Sequence, residues 1–299
     1  KYIKATDHIK EIISQVQRLT KKGYTYTTSD GIYFDLSKDK EYGKLSGRTV
    51  LQAEDGTSRI DESSEKRNRG DFCVWKFSKP GEISWKAPFG DGRPGWHIED
   101  TAITEKVFGP QYDIHGGAVD LIFPHHEAEI AQMECISSIR PFVRYWLHAG
   151  FLDMEQKKMS KSKGNFILLR DLLKEYNKET IRFFYLSSHY RSRINFSTNL
   201  LDQARNSLER INDFISNLTK KDDSQALEKL RKEFYEAMDD DLNTPTAFAL
   251  IFDFMSKANK TNTGGKKTLF FFKEINKIFS MFSFQEKIPA EVKKLGEKR

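Results

Sequence analysis

Cysteine is scarce in this chain: Cys73 and Cys135 are the only two among 299 residues. That excludes a disulfide framework, and a reducing cytoplasm is the expected setting. No apolar run reaches membrane length and no secretory leader pattern is present, so no membrane partner is expected. No segment repeats, which excludes a solenoid. An initiating methionine is missing too. Lys1 leads almost directly into a helical pattern, and residues 293–299 stop inside another helix-like run. A fragment of a longer protein is the expectation.

What is present suits a globular chain. With 38% hydrophobic and 31% charged residues there is ample core for two or three domains. The net charge of +6 and a pI of about 9.0 fit a polyanionic partner such as RNA, although lysine-rich surfaces also serve solubility.

The most informative segment is Lys157-Lys158-Met159-Ser160-Lys161-Ser162-Lys163-Gly164-Asn165, with four lysines, two serines and a glycine in nine residues. A short flexible loop of this kind can fold over a triphosphate, its ammonium groups neutralising charge that develops on phosphorus.

Around it the pattern alternates. Residues Asp7 to Thr20 space Ile9, Ile12, Ile13, Val16 and Leu19 as a helix. Gly31 to Leu36 is strand-like, and Glu54 to Gly70 reads as a polar, exposed excursion. Gly90 to Gly95 marks a loop leading into Trp96-His97-Ile98-Glu99-Asp100. Tyr112 to Ile114 reads as a short buried strand, with Gly116-Gly117 as the turn after it. Pro124 opens a predicted helix with Ile130 and Met133 on its apolar side, and Arg144 to Leu152 is a further strand. Beyond Asn165 the pattern is helical. Ser197 caps a long helix carrying Leu201, Ala204, Leu208, Ile211 and Ile215, and Thr244-Pro245 reads as a cap followed by a first-turn proline.

Four pieces carry possible chemistry. His125 and Glu129, four residues apart on a predicted helix, share a face and could both ligate a metal, or form a surface pair. His115 lies at the end of a strand, where α/β proteins place ligands. Trp96 and His97 follow the glycine loop and could line a pocket or pack in a core. Asp100 lies where a third metal ligand could arise.

Taken together, the motifs resemble one family. Lys158-Met159-Ser160-Lys161-Ser162 is similar to the KMSKS signature of class I aminoacyl-tRNA synthetases. Gly95 to Glu99, Asp113 to Gly117, Asp120 to Glu127, Ile130 to Gln132 and Tyr145 to His148 resemble cysteinyl-tRNA synthetase in order and spacing. Tyr42 to Gly47, Leu186 to Ser192 and Ala237 to Asp241 are similar as well, so the resemblance runs nearly the whole chain.

The resemblance implies an α/β, Rossmann-like class I catalytic fold followed by an all-helical bundle. It implies residues 1–22 as the end of the first catalytic half, 23–88 as an insertion, and 89–165 as the second half with the lysine loop. Residues 166–218 would be a stem-contact region and 219–299 part of a tRNA-binding bundle. It further implies ATP with Mg2+ and L-cysteine as substrates, tRNA(Cys) as partner, a monomer, and Zn2+ as the cofactor that binds the substrate's thiolate. Lys158 and Lys161 map as catalytic, with Met159, Ser160 and Ser162 completing the ATP-binding loop; Trp96 and His115 map to the substrate pocket. The family's four zinc ligands are two cysteines, a histidine and a glutamate, and the last two map to His125 and Glu129. Where the family has its second zinc cysteine, this chain has Asp100, a harder donor. The family's first zinc cysteine and its HIGH motif have no counterpart here. The alternatives are a cysteine ligase acting on an amino-sugar and a catalytically silent RNA-binding paralogue. Arg191 and Arg193 are candidate phosphate contacts or surface ion pairs.

Overall fold

The computed structural model describes residues 1–48, 63–154, 157–158 and 166–284. They form two compact units that divide between Ala149 and Gly150.

The first unit begins with helix α1 (Ile9–Lys21), whose Ile12, Val16 and Leu19 are fully buried, as their spacing predicts. An antiparallel sheet follows in the order β1 (Thr25–Thr27), β2 (Gly31–Phe34), β3 (Phe72–Phe77), β4 (Gly92–Pro94). The chain then passes into helix α2 (Trp96–Phe108) through Gly95. A Cβ at Gly95 would stand 1.8 Å from the Cys73 carbonyl oxygen, so only glycine lets the chain run this close to β3. The glycine-rich stretch before Trp96 is thus partly strand, and the segment it leads into is a helix that the loop signals concealed.

Strands β5 (Tyr112–Ala118) and β6 (Val143–Ala149) pair in parallel, joined by helix α3 (Glu127–Ser137). A parallel pair needs such a crossover, and this βαβ unit is the elementary piece of a Rossmann-like fold. Two sequence expectations are corrected here, on β5 and on the sides of α3, and one is met. Strand β5 continues through Gly116-Gly117 instead of turning there, and it is only partly buried. Pro124 opens a helical run as expected: Phe123 before it is extended (φ −136°, ψ 130°), and the run passes through His126 into α3. Helix α3 has no single apolar side, because every residue from Glu127 to Ile136 is buried. Its charges are matched instead. Glu127 accepts hydrogen bonds from the backbone of Gly43 and Ser46, which ties down the Tyr42–Gly47 motif. Glu134 takes the Phe142 N–H and pairs with Lys44 and Arg140.

The predicted polar excursion from Glu54 to Gly70 falls partly outside the described residues. Its described end is anchored: Asn68 N donates to Asp71, and Arg67 N to the Tyr26 hydroxyl.

The second unit starts with a small sheet of β7 (Leu152–Met154), β8 (Lys157–Lys158) and, later in the chain, β9 (Ile194–Phe196). Helices α4 (Leu169–Glu175), α5 (Lys178–Leu186), α6 (Thr198–Ser216), α7 (Ser224–Asp239), α8 (Thr244–Thr261) and α9 (Lys266–Phe279) complete it. One phenylalanine-rich core runs from Tyr176 to Phe282 without a break near residue 218. Ser197 caps α6 as predicted, accepting from Leu200 N. Helix α8 is capped one residue earlier than predicted: the Asn243 side chain accepts from Thr246 N, and Thr244 is buried in the first turn. Among the described residues no helix is long and apolar enough to cross a membrane.

Candidate metal centre

Helices α2 and α3 bring the site together. On α2, Trp96 and Asp100 are four residues apart and share its outer face, while His97, Ile98 and Thr101 point into the core. His125, in the turn before α3, stands one helical step from Glu129. Its Nε2 lies 3.0 Å from Asp100 Oδ2 and 2.9 Å from Glu129 Oε1.

A single Nε2 proton can point at only one of those carboxylates. The hydrogen bond goes to Asp100, and neither oxygen of Glu129 receives one although the residue is 1% exposed. A buried carboxylate without donors is expensive. A cation held between Asp100, His125 and Glu129 removes that cost, and their ligand atoms lie within 4.8 Å of one another. The donor set therefore fits a divalent metal.

The supporting shell points the same way. His125 Nδ1 is 2.6 Å from Nδ1 of the buried His97. One of the two must carry the shared proton; with it on His125 Nδ1, donated to His97, Nε2 is left as the metal-facing lone pair. The Trp96 indole stacks on the His125 ring, centroids 4.4 Å apart, and stays 57% exposed, forming the outer wall. His115 reaches Glu129 from the other side, with Nε2 at 3.6 Å from Oε2 and Nδ1 at 2.5 Å from the Tyr112 hydroxyl.

Asp100, His125, Glu129, Trp96 and His115 are thus gathered in the first unit. The lysine loop is not placed with them. Lys158 lies in β8 of the second unit, described by its backbone alone, and Met159, Ser160, Lys161 and Ser162 lie outside the described residues. Arg191 and Arg193 are engaged by carboxylates: Arg191 pairs with Asp241, and Arg193 forks onto Asp153 at 2.8 and 2.9 Å.

Two residues of this neighbourhood were not singled out from sequence. His126 and His148 lie 2.8 Å apart, beneath the cluster. The available signal was density, since five of the chain's seven histidines converge here.

The electrostatics predict a pH optimum of stability for the metal-free protein. Burial pushes His97 down to about 3; burial, reinforced by neighbouring imidazoles, does the same to His126. Both contribute stability that is present above the unfolded value of about 6.5 and lost as pH falls toward 3. Burial also lowers His125, but the Asp100 and Glu129 carboxylates outweigh it and raise the ring to about 9. Its contribution is complete below about 6.5 and lost as pH rises through 9. Burial raises Glu129 to about 7, which favours the folded state as pH falls from 7 to its ordinary value of about 4.5 and opposes part of the acid-side contribution of His97, His126 and His115, the last also lowered by burial. The net maximum lies near pH 6.5. Thermal midpoints of chelator-treated protein from pH 4 to 9 check this, and His97→Gln should flatten the acid limb. A curve that climbs steadily from pH 6 to 9 would contradict the assignment.

Comparison with known proteins gives the family and the fold. The family profile described as "tRNA synthetases class I (C) catalytic domain" matches residues 1–206, and the profile "DALR domain" matches residues 233–283. A cysteine–tRNA ligase of Thermococcus onnurineus is 42% identical over 94% of this chain, and one of Shewanella denitrificans is 46% identical over 87%. The chain spans 63% and 56% of those two proteins. Among solved structures, Mycobacterium tuberculosis methionyl-tRNA synthetase bound to methionyl-adenylate matches with a TM-score of 0.62 at 16% identity, covering 87% of this chain and 66% of that one. A putative arginyl-tRNA synthetase from Campylobacter jejuni matches with a TM-score of 0.59 at 13% identity, covering 96% and 64%. At those identities the likeness is one of fold: a Rossmann-like class I catalytic domain followed by a helical domain.

Proposed function

The chain belongs to the class I (C) tRNA synthetase family, and on that premise we propose that its protein is a cysteine–tRNA ligase, which activates L-cysteine with ATP to cysteinyl-adenylate and transfers it to tRNA(Cys). The observation that carries the metal-dependent part of this reading is Glu129, a buried carboxylate whose Oε1 lies 2.9 Å from His125 Nε2, the same atom that Asp100 Oδ2 meets at 3.0 Å. Asp100, His125 and Glu129 would hold zinc. Bound there, zinc would accept the substrate's sulfur in preference to a hydroxyl and favour the thiolate, which separates cysteine from serine.

The chain's own residues do the rest. His97 fixes the tautomer of His125, and Trp96 walls the site with an apolar surface suited to a small thiol side chain. His115 stands across Glu129, within reach of the same pocket. The lysine loop, Lys158 to Ser162, is proposed to close over the triphosphate with Mg2+, its ammonium groups meeting the charge that develops on phosphorus. The helical residues 166–218 and 219–299 are proposed to contact tRNA, and the relatives' names favour a tRNA acceptor over an amino-sugar. The lysine loop opposes a silent paralogue, since inert binding does not need it.

Amino-acid-dependent exchange of pyrophosphate into ATP by the full-length protein tests the proposal. Cysteine should support exchange and serine should not. Equal exchange with both, or none with cysteine, would overturn it.

A further inference from the structure

The strand that carries the first lysine of the loop stands in a small sheet with a buried charge at its centre. β7 and β8 pair with Asp153 opposite Lys158 and Met154 opposite Lys157. A ladder of that length is marginal on its own. On its other side β7 pairs in parallel with β9, Asp153 opposite Asn195. Asp153 is thus the middle residue of the middle strand.

Aspartate is a poor strand former, and this one is only 6% exposed. A buried carboxylate needs a cation or hydrogen-bond donors. Arg193, just before β9, supplies both. Its Nε donates to Oδ2 at 2.8 Å and its Nη2 to Oδ1 at 2.9 Å, so one planar fork occupies both oxygens. The guanidinium also lies over the Phe151 ring, 5.4 Å from its centroid. The segment behind Arg193 is pinned to β7. Gly150 N donates to the Tyr190 carbonyl at 2.7 Å, and Ile194 N to that of Phe151 at 2.9 Å. A Cβ at Gly150 would stand 2.2 Å from the Ser192 carbonyl oxygen, so the two stretches meet this closely only because the residue is glycine.

Stability alone does not account for the arrangement. The Arg193 side chain is 59% exposed, and such pairs contribute little. The register supplies another use. Opposite charges at facing positions of an antiparallel pair attract, and the residue facing Asp153 is Lys158. A carboxylate left unoccupied at 153 would compete with phosphate for that lysine. We propose that Arg193 is a positioning residue for the lysine loop: by taking both oxygens of Asp153 it keeps Lys158 available to ATP. The inference rests on the reading of Lys158 to Ser162 as the ATP loop.

Two readouts test it in the full-length protein. The first is cysteine-dependent pyrophosphate exchange. Arg193→Gln should slow it by about tenfold, short of the 100-fold or more expected when a phosphate contact is lost outright. The KM for cysteine and the zinc content should not change. Arg193→Lys, which keeps the charge but not the fork, should fall between. Adding Asp153→Asn to Arg193→Gln removes the competing carboxylate and should restore most of the rate. A brace that only stiffened the sheet would give no such rescue. The second readout is the rate at which an amine-selective acetylating reagent modifies Lys158, followed by mass spectrometry. It should fall several-fold in Arg193→Gln and recover in the double variant. Circular dichroism confirms folding, and Arg193→Lys carries the test if Arg193→Gln unfolds. Unchanged exchange and unchanged Lys158 reactivity in Arg193→Gln, or a double variant as slow as the single one, would overturn the proposal. No exchange in the wild type would overturn the ligase reading and with it the role at ATP, while the Lys158 pattern would still decide whether Asp153 competes for that lysine.

Discussion

Lys161→Ala in the full-length protein slows cysteinyl-adenylate formation by about 100- to 1000-fold while leaving the cysteine dissociation constant nearly unchanged. Charge accumulates on the phosphates only as the phosphorus–oxygen bonds rearrange, so an ammonium placed there stabilises the transition state more than the ground state. Removing one such preorganised contact costs about 2.7–4 kcal/mol in comparable sites. Single-turnover adenylate formation and an equilibrium cysteine titration separate the two effects. An unchanged rate with weakened cysteine binding would remove the loop from its proposed role.

Asp100→Ala loosens zinc at the Asp100–His125–Glu129 site by more than about 100-fold. Removing an outer-shell partner of a metal ligand already costs about 10- to 100-fold, and Asp100 is proposed as a ligand itself. Asp100→Cys should act in the opposite direction and tighten zinc by about tenfold or more, because zinc gains more from a soft thiolate than from a carboxylate. The position is favourable for such a swap: Asp100 Oδ2 already stands 3.0 Å from His125 Nε2 at the exposed rim of the cluster. Competition with a chromogenic chelator measures both variants. Equal or weaker zinc retention in Asp100→Cys would show that this side chain does not occupy a ligand position.

Much of the site was legible because its spacing is local. His125 and Glu129 are four residues apart, and one turn of chain is enough to set their oxygen and nitrogen 2.9 Å apart. Trp96 and Asp100 follow the same rule on α2, although the glycines before them obscured that a helix begins there. The second unit was read well for a similar reason. Leu201, Ala204, Leu208, Ile211 and Ile215 repeat on one face, and that face is the buried one. Helix α3 escaped such reading, since a segment buried on every side shows no period. Strand β5 was cut short because glycine ordinarily signals a turn, whereas Gly117 is there for the His126 ring.

The sequence by itself determined the family, the helical character after residue 166 and the pairing of His125 with Glu129, since motifs and short-range periodicity need no knowledge of distant contacts. Only the tertiary structure decided that Glu129 is buried against His125, that His97 packs on the His125 ring, and that His115 lies 3.6 Å from the second carboxylate oxygen. Those facts depend on β5, α2 and α3 converging from segments up to about thirty residues apart, and long-range packing leaves no periodic trace in the order of residues.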